Sequence, residues 1–393
     1  MSLQKSFRIF ILFSLSLAGC SLIKPAATPT VVEQPTETST TIPPTATTAP
    51  TTEPTPTVAQ VDYGPTNFPA NVNPLTGLPV NDPTRLDRRP ISIKIQIFPR
   101  DDRPPFALAL ADIVYDYYQN NGLTRFNAIF YGNDAEQVGP VRSGRLFDSE
   151  IVHMYKAIFA FGGADKRILK TFFNSDFSNR LVLEGAMNCP PMCRVEPNGA
   201  NYLVANTKEM GPYVVSKGGT NDRQNLDGMK FQFQTPPNGV AGVQIFNRFS
   251  ISSYNRWDFD QASGRYLRFQ DTQEDAGQGE GYAALMDRVT NTQIVADNVV
   301  VLLIPHEYAY KSGNSEIVEI KMGDSGIAYA FRDGYAYELK WTRQSPDAIF
   351  SLVFPDGTPY SYKPGITFYE VMGTSSNIDK KENGVWRFEI KFP

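Results

Sequence analysis

Histidine is almost missing from this chain: His153 and His306 are the only two in 393 residues. Cysteine is nearly as scarce, with Cys20, Cys189 and Cys193. A protein metal site gathers about four nitrogen, sulfur or oxygen ligands, and these few residues do not supply one. No metal and no cofactor are therefore expected. Three residues separate Cys189 from Cys193, which excludes a redox C-x-x-C motif. Strong charge of either sign is lacking too. The formal net charge is −4, and losing Lys5 and Arg8 with a leader makes it more negative. Such a chain has no global pull toward nucleic acid, so no nucleic-acid partner is expected. Any anion site must be a local cluster of arginines. A phosphate-loop pattern and a G-x-S-x-G nucleophile elbow are both absent.

What is present begins with an export pattern. Lys5 and Arg8 form a short positive region, and residues 9–18 are an apolar run broken only by Ser14 and Ser16. The run is shorter than the roughly 20 residues that span a bilayer and fits a signal-peptide core. Leu17-Ala18-Gly19-Cys20 follows. It resembles the lipobox of bacterial lipoproteins, whose cysteine is acylated and becomes the first residue of the mature chain. Residues 1–20 thus read as a lipoprotein signal peptide, with Cys20 as the lipidation site. Two or three acyl chains hold a protein stably on a membrane, where one is marginal. Residues 21–66 are rich in Thr, Pro, Ala and Glu without apolar periodicity and read as a disordered stalk. Polyproline II rises about 3.1 Å per residue, so its reach is on the order of 100 Å. The expected address is the cell membrane, lipid-anchored on its extracytoplasmic side.

The remainder reads as α+β. A layered mixed-sheet domain with helices is expected over 67–226, and a β-rich antiparallel domain over 227–393. Residues 90–98 alternate Ile91, Ile93, Ile95 and Ile97 with Ser92, Lys94 and Gln96, the pattern of a strand with one solvated face. Residues 112–119 and 123–131 are rich in Ile, Val, Tyr and Phe around Asn120-Asn121-Gly122, a hairpin signature. Gly139-Pro140 marks a turn. Ser143 is placed to cap a helix running to Tyr155, with Asp148 and Glu150 near its positive end. Residues 157–161 read as a buried strand, 164–173 as a helix, 180–184 as a strand and 201–212 as a helix. In an oxidising compartment Cys189 and Cys193 read as a disulfide, worth roughly 2 kcal/mol for so short a loop. Further strands are expected at 243–249, 265–269, 299–304, 317–322, 327–331, 335–341, 349–354 and 385–392, with 282–289 a short helix or a loop. Turn signals such as Asp333-Gly334 and Asp356-Gly357 point to an antiparallel sheet or barrel.

The candidate site centres on Val138-Gly139-Pro140-Val141-Arg142-Ser143-Gly144-Arg145. Arg125, Arg142 and Arg145 are placed to converge on an anionic ligand, because the guanidinium fork matches phosphate and carboxylate. Ser143 is counted with them, and Asp112 is a candidate to orient one arginine. The competing reading is a salt-bridge network that holds the hairpin to the helix. Ser143 as a nucleophile needs a base. His153 lies ten residues on, but without an elbow motif no catalytic residue is assigned. Asp258-Phe259-Asp260 with Gly264 lacks the spacing of a calcium loop and reads as a hairpin turn.

Several of these segments recur together in a known family. Residues 89–97, Ala111-Asp112-Ile113-Val114-Tyr115, Gly122-Leu123-Thr124-Arg125-Phe126 with Ala128-Ile129-Phe130, and Gly139 to Arg145 occur in matching order and spacing. In them the chain resembles the YerB-like lipoproteins, built from DUF3048 N-terminal and C-terminal domains. Tyr266, Arg268, Asp297-Asn298-Val299 and Lys363-Pro364-Gly365 are similar to the C-terminal half. The resemblance implies an α+β first domain, a β-rich second one and an address, without a reaction. This chain departs from the family at Gly144, where Ala is usual. The Cys189/Cys193 pair is not carried over from it.

These observations point to a membrane-anchored cell-envelope lipoprotein. Its expected role is a binding or scaffold module whose arginine face takes an anionic cell-wall ligand or an envelope protein. The alternative is an enzyme of phosphotransferase or hydrolase type acting on phosphate-containing envelope polymers. It would use the same arginines as electrostatic stabilisers, meeting a carboxylate such as Asp112, Asp165 or Asp287 in a closed pocket.

Overall fold

The computed structural model describes residues 61–185, 188–195 and 202–391. The expected signal peptide, Cys20 and most of the expected stalk lie outside the described residues. The stalk expected to run to 66 gives way earlier, because Tyr63 and Phe231 exchange backbone hydrogen bonds at 3.1 and 2.7 Å.

Branched and aromatic runs become strands. The first half contributes β1 (Ile91–Ile95), β2 (Ile113–Asn120), β3 (Leu123–Phe130), β4 (Ile158–Phe161) and β5 (Leu181–Leu183). Its helices are α1 (Phe147–Tyr155), α2 (Lys166–Phe173) and α3 (Thr207–Ser216). The second half contributes β6 (Gln244–Arg248), β7 (Tyr254–Asp260), β8 (Arg265–Asp271), β9 (Asn298–Ile304), β10 (His306–Ser312) and β11 (Ser315–Ile320). It ends with β12 (Ser325–Arg332), β13 (Tyr335–Thr342), β14 (Thr367–Gly373) and β15 (Val385–Glu389). Between β2 and β3, Asn121 and Gly122 take φ of 50° and 76°, the left-handed pair that a two-residue hairpin turn requires.

One sheet of eleven strands joins the halves. Its order is Val240–Ala241, β13, β12, β9, β14, β2, β3, β1, β4, β5, with Ser351–Val353 against β13. The seam is β14 against β2, paired in parallel, and β9 is parallel to β14 as well. The two halves expected on either side of 226/227 thus share one sheet. One correction follows: the second half is not purely antiparallel. The physical reason is burial: β9 and β14 are buried along their whole length, and strands covered on both faces accommodate parallel pairing.

Alternate residues of the seam strands face opposite ways. Tyr115 and Tyr117 of β2 pack on Phe147 and Tyr155 of α1. Asp116, between them, meets Arg268 of β8. So α1 covers one face of the large sheet and a second sheet covers the other. That second sheet has seven strands, ordered Tyr282–Ala284, β8, β7, β6, β15, Asn377–Lys380, with Val295–Ala296 added to β8.

Other expectations shift. All five residues of β1 are buried, so its polar face is not solvated; it lies under α1. The helix expected from Ser143 begins at Phe147. The one expected over 201–212 begins at Thr207, capped by Asn206, after a short strand Leu203–Ala205. Residues 282–284 form a strand. The β10–β11 hairpin stands outside both large sheets. Ile317 ties it to the first half by packing with Val152, Phe161, Ile168 and Phe172. No helix among the described residues is long and apolar enough to cross a membrane.

Candidate functional site

Residues 139–145 are held between three neighbours by backbone hydrogen bonds. Gln96 N–H donates to the Pro140 carbonyl and Arg142 N–H to the Lys94 carbonyl, each at 2.9 Å, which continues the edge of β1. Val141 N–H donates to Leu203 at 2.7 Å, and Gly144 N–H to Gly163 at 2.8 Å. Gly144 packs too closely for a side chain, since a Cβ there stands 2.8 Å from the Phe172 ring.

Arg125 comes to this segment from β3. Its Nη1 donates to the Ser143 carbonyl at 2.9 Å. Arg145 donates through Nη1 to the Gly144 carbonyl at 2.9 Å and to the same Ser143 carbonyl at 3.4 Å, and through Nη2 to Asn120 Oδ1 at 3.2 Å. All these partners are neutral. Among the described residues no carboxylate oxygen lies within 4.0 Å of either the Arg125 or the Arg145 guanidinium. Arg125 Nε is buried with no hydrogen-bond partner there. Burial, with the charges of Arg145 and Arg142 added, pushes Arg125 down to about 9; it stays charged at neutral pH. Burial lowers Arg145 as well. Carbonyls, not ion pairs, therefore hold Arg125 and Arg145 among the described residues.

Beneath the arginines lies a buried network that sequence reasoning passed over. Asp148, in the first turn of α1, accepts the Arg145 N–H at 2.6 Å and Asn127 Nδ2 at 2.8 Å. It also accepts the Tyr117 hydroxyl, and Lys94 Nζ stands 3.4 Å away. Lys94 donates to the Tyr117 oxygen. Ser143 is thus not the helix cap; Leu146 takes that position, and the Asp148 carboxylate collects the loose N–H of Arg145. Lys94 and Asp148 are fully buried. Burial drags Lys94 down to about 7 against the pull of Asp148, and Arg125 and Arg145 push it the same way as burial. Among the described residues Lys94, Arg125 and Arg145 all lie around the Asp148 carboxylate.

A pocket of about 610 Å³ opens beside Arg145. Asn120, Ser143 and Arg145 form its wall from the first half, with Asp165 and Ile168 at the start of α2. The β10–β11 hairpin supplies the wall from the second half. Asp165 caps α2 by accepting Arg167 N–H at 2.9 Å and pairs with the Arg167 guanidinium, which holds its carboxyl down to about 2.

The other expected residues lie elsewhere. Asp112 is not part of the arginine cluster. Its carboxylate accepts Asn73 Nδ2 at 2.9 Å and the N–H groups of Tyr131 and Gly132 at 2.5 and 3.0 Å. It closes the base of the β2–β3 hairpin, and burial raises it to about 6. Asp287 receives the N–H groups of Ala109, Val289 and Thr290. His153 pairs with Asp176 at 2.8 Å, not with Ser143. Cys189 and Cys193 form a disulfide, with Cα atoms 4.8 Å apart. Among the described residues no group of three or more His, Cys, Asp or Glu is arranged to hold a metal.

A second buried charge cluster occupies the opposite face of the sheet. Arg268 donates to Asp116 at 2.5 Å and to Glu370 at 2.8 Å. Glu370 also accepts Trp257 Nε1 at 2.8 Å and Asn255 Nδ2 at 2.9 Å. All three charged groups are wholly buried. This cluster fastens the second sheet to the seam; none of its three charged groups lines a described pocket, and Gln270, which accepts from Arg268, lies between it and the nearest opening.

Comparison with known proteins agrees with this architecture. The family model described as the DUF3048 N-terminal domain, of unknown function, matches residues 75–225, and the corresponding C-terminal domain matches residues 245–369. A protein of Bacillus subtilis (strain 168) named "Putative lipoprotein YerB" is 23% identical over 308 residues, covering 76% of this chain and 85% of that protein. The crystal structure of YerB from Bacillus subtilis matches with a TM-score of 0.61 at 21% identity, covering 77% of this chain and 96% of that one. This likeness is one of fold.

Proposed function

Because the chain belongs to the family built from the DUF3048 N- and C-terminal domains, whose function is unassigned, we propose that it is a lipid-anchored envelope lipoprotein that binds an anionic ligand at Arg125, Arg142 and Arg145. The anchor rests on the Leu17 to Cys20 pattern and on the lipoprotein name of the Bacillus subtilis relative. The extracytoplasmic side follows from the same leader. One observation carries the binding reading. Arg125 and Arg145 are crowded by like charge, with no carboxylate within 4.0 Å among the described residues. Buried or half-buried cations need compensation, and an external anion is the partner this arrangement lacks.

The test is binding of the full chain to envelope polymers, wild type against an Arg142→Ala, Arg145→Ala double variant. Loss of binding with the fold retained, checked by circular dichroism, is the expected result; unchanged binding removes this face from the reading. For the anchor, Cys20→Ser is followed with labelled palmitate, and equal labelling of both proteins overturns it. The enzymatic alternative, transfer or hydrolysis on a phosphate-bearing polymer, draws its support from Asp165, which lines the pocket with Arg145. That carboxylate is committed to Arg167, so binding is the better-supported reading.

A further inference from the structure

We propose that the pocket beside Arg145 takes a phosphorylated sugar or polyol, with its phosphate against Arg145 and its hydroxyls against the β10–β11 hairpin. This rests on the anion-binding reading and adds what the rest of the ligand is.

The two walls of the pocket differ in chemistry. The first-half wall offers Arg145, with Arg125 behind it on the shared Ser143 carbonyl, and the Asp165 carboxylate, which Arg167 neutralises. The hairpin wall carries no cation: it is lined by Ser312, Asn314, Ser315 and Glu316. Hydroxyl and amide groups both donate and accept, and a carboxylate accepts. That set suits sugar hydroxyls, which do both. A bare anion filling the pocket uses only the donors of this wall and meets the charge of Glu316. Ile168 and Ile317 add apolar surface for the C–H groups of such a ligand. The volume, about 610 Å³, lies in the range of roughly 300–1,000 Å³ that accommodates small organic ligands.

The hairpin wall is fixed in place. The Tyr118 hydroxyl donates to Glu316 Oε1 at 2.7 Å, and the Asn121 N–H reaches the same oxygen. The Arg167 guanidinium stacks 3.6 Å from the centre of the Tyr310 ring. A wall already ordered loses little entropy when it meets a ligand. The pocket is also composite: one family domain supplies the charge and the other supplies the hydroxyl-reading wall. A wall-polymer repeat, a lipid headgroup and a free sugar phosphate share this chemistry.

The experiment titrates the full chain, in detergent micelles, with inorganic phosphate, glucose and glucose 1-phosphate. Glucose 1-phosphate is expected to bind about tenfold or more tightly than phosphate, and glucose alone not measurably. Asn314 and Ser315 are exposed, so an Asn314→Ala, Ser315→Ala variant keeps the fold. It should lose the advantage of glucose 1-phosphate while keeping phosphate affinity, and Arg145→Gln should weaken both. Equal affinity of the wild type for phosphate and glucose 1-phosphate overturns the proposal and leaves the anion reading standing. Absence of any phosphate or sugar-phosphate binding overturns both. Given the tenfold preference, displacement by phosphatidylglycerol vesicles supports the ligand class with a headgroup as source. Indifference to the vesicles supports it with a soluble or polymer-borne source.

Discussion

On one face of the central sheet, Lys94, Arg125 and Arg145 gather around a single carboxylate, Asp148, beside an open pocket. On the other face a single cation, Arg268, stands between Asp116 and Glu370, sealed between two sheets. Both clusters are unbalanced, in opposite senses. A buried excess of charge must be met from somewhere. In the sealed cluster burial raises both Glu370 and Asp116 above the usual carboxylate range, which favours a proton on the pair, and Arg268 opposes it. Among the described residues the open cluster has excess positive charge, and burial lowers Lys94, which relieves part of it. The proposed ligand supplies an anion from outside. The same physics makes one cluster a fastening and underlies the proposal that the other binds a ligand, and access to solvent is what separates them.

The largest effect should come from breaking the sealed cluster. Arg268→Ala leaves two carboxyl groups buried without their cation and should cost about 3–5 kcal/mol, read as a shift in the urea midpoint. Next comes pH, where the two faces should slope in opposite directions. Glu370 normally titrates near 4.5 and does so at about 7 when folded. From 4.5 to 7 the folded chain holds a proton that the unfolded chain has lost, so stability falls as pH rises. Lys94 normally titrates near 10.5 and does so at about 7 when folded. From 7 to 10.5 the unfolded chain holds the extra proton, so this group makes stability rise with pH. Glu370→Gln should flatten the first slope and Lys94→Met the second; a swap of the two would undo the comparison.

Lys94→Met should cost less than Arg268→Ala, about 1–2 kcal/mol, because Asp148 keeps the Tyr117, Asn127 and Arg145 donors. An equal or larger loss in the same urea titration would mean that Lys94 balances its cluster as fully as Arg268 does its own. The smallest effect is ligand-linked. Phosphate at ten times its dissociation constant should stabilise the wild type by about 1.4 kcal/mol and the Arg145→Gln variant by less. Thermal unfolding with and without phosphate measures the difference, and the Glu370→Gln variant should respond as the wild type does.

The β2–β3 hairpin is legible in the sequence because Asn121-Gly122 is a local signal whose φ values only such residues adopt readily. The arginine segment is legible because the Gly139-Pro140 turn and the charges around it sit within a few residues. The leader pattern is likewise local. Where the reading stops is equally specific. Strict alternation in β1 looks like a strand facing water, yet Ser92 and Lys94 are fully buried. Alternation reports two chemically different faces, and it is silent about what lies above the polar one. β14 carries aromatic and branched residues but also Glu370, whose partners Asn255, Trp257 and Arg268 come from strands more than 100 residues away.

What the sequence carries by itself is therefore the set of short-range features: the expected leader pattern ending at Cys20, the Thr- and Pro-rich composition after it, the hairpin turn, and arginines placed near one turn. Tertiary structure alone decided that Thr367–Gly373 pairs with Ile113–Asn120 to weld two halves into one sheet. It alone sent Asp112 to the hairpin base, put Asp148 under the arginines and closed their pocket with a hairpin from the far half. The reason is one of range. Turn chemistry and export patterns act within a few residues, whereas the burial of a charge depends on which distant elements happen to cover it.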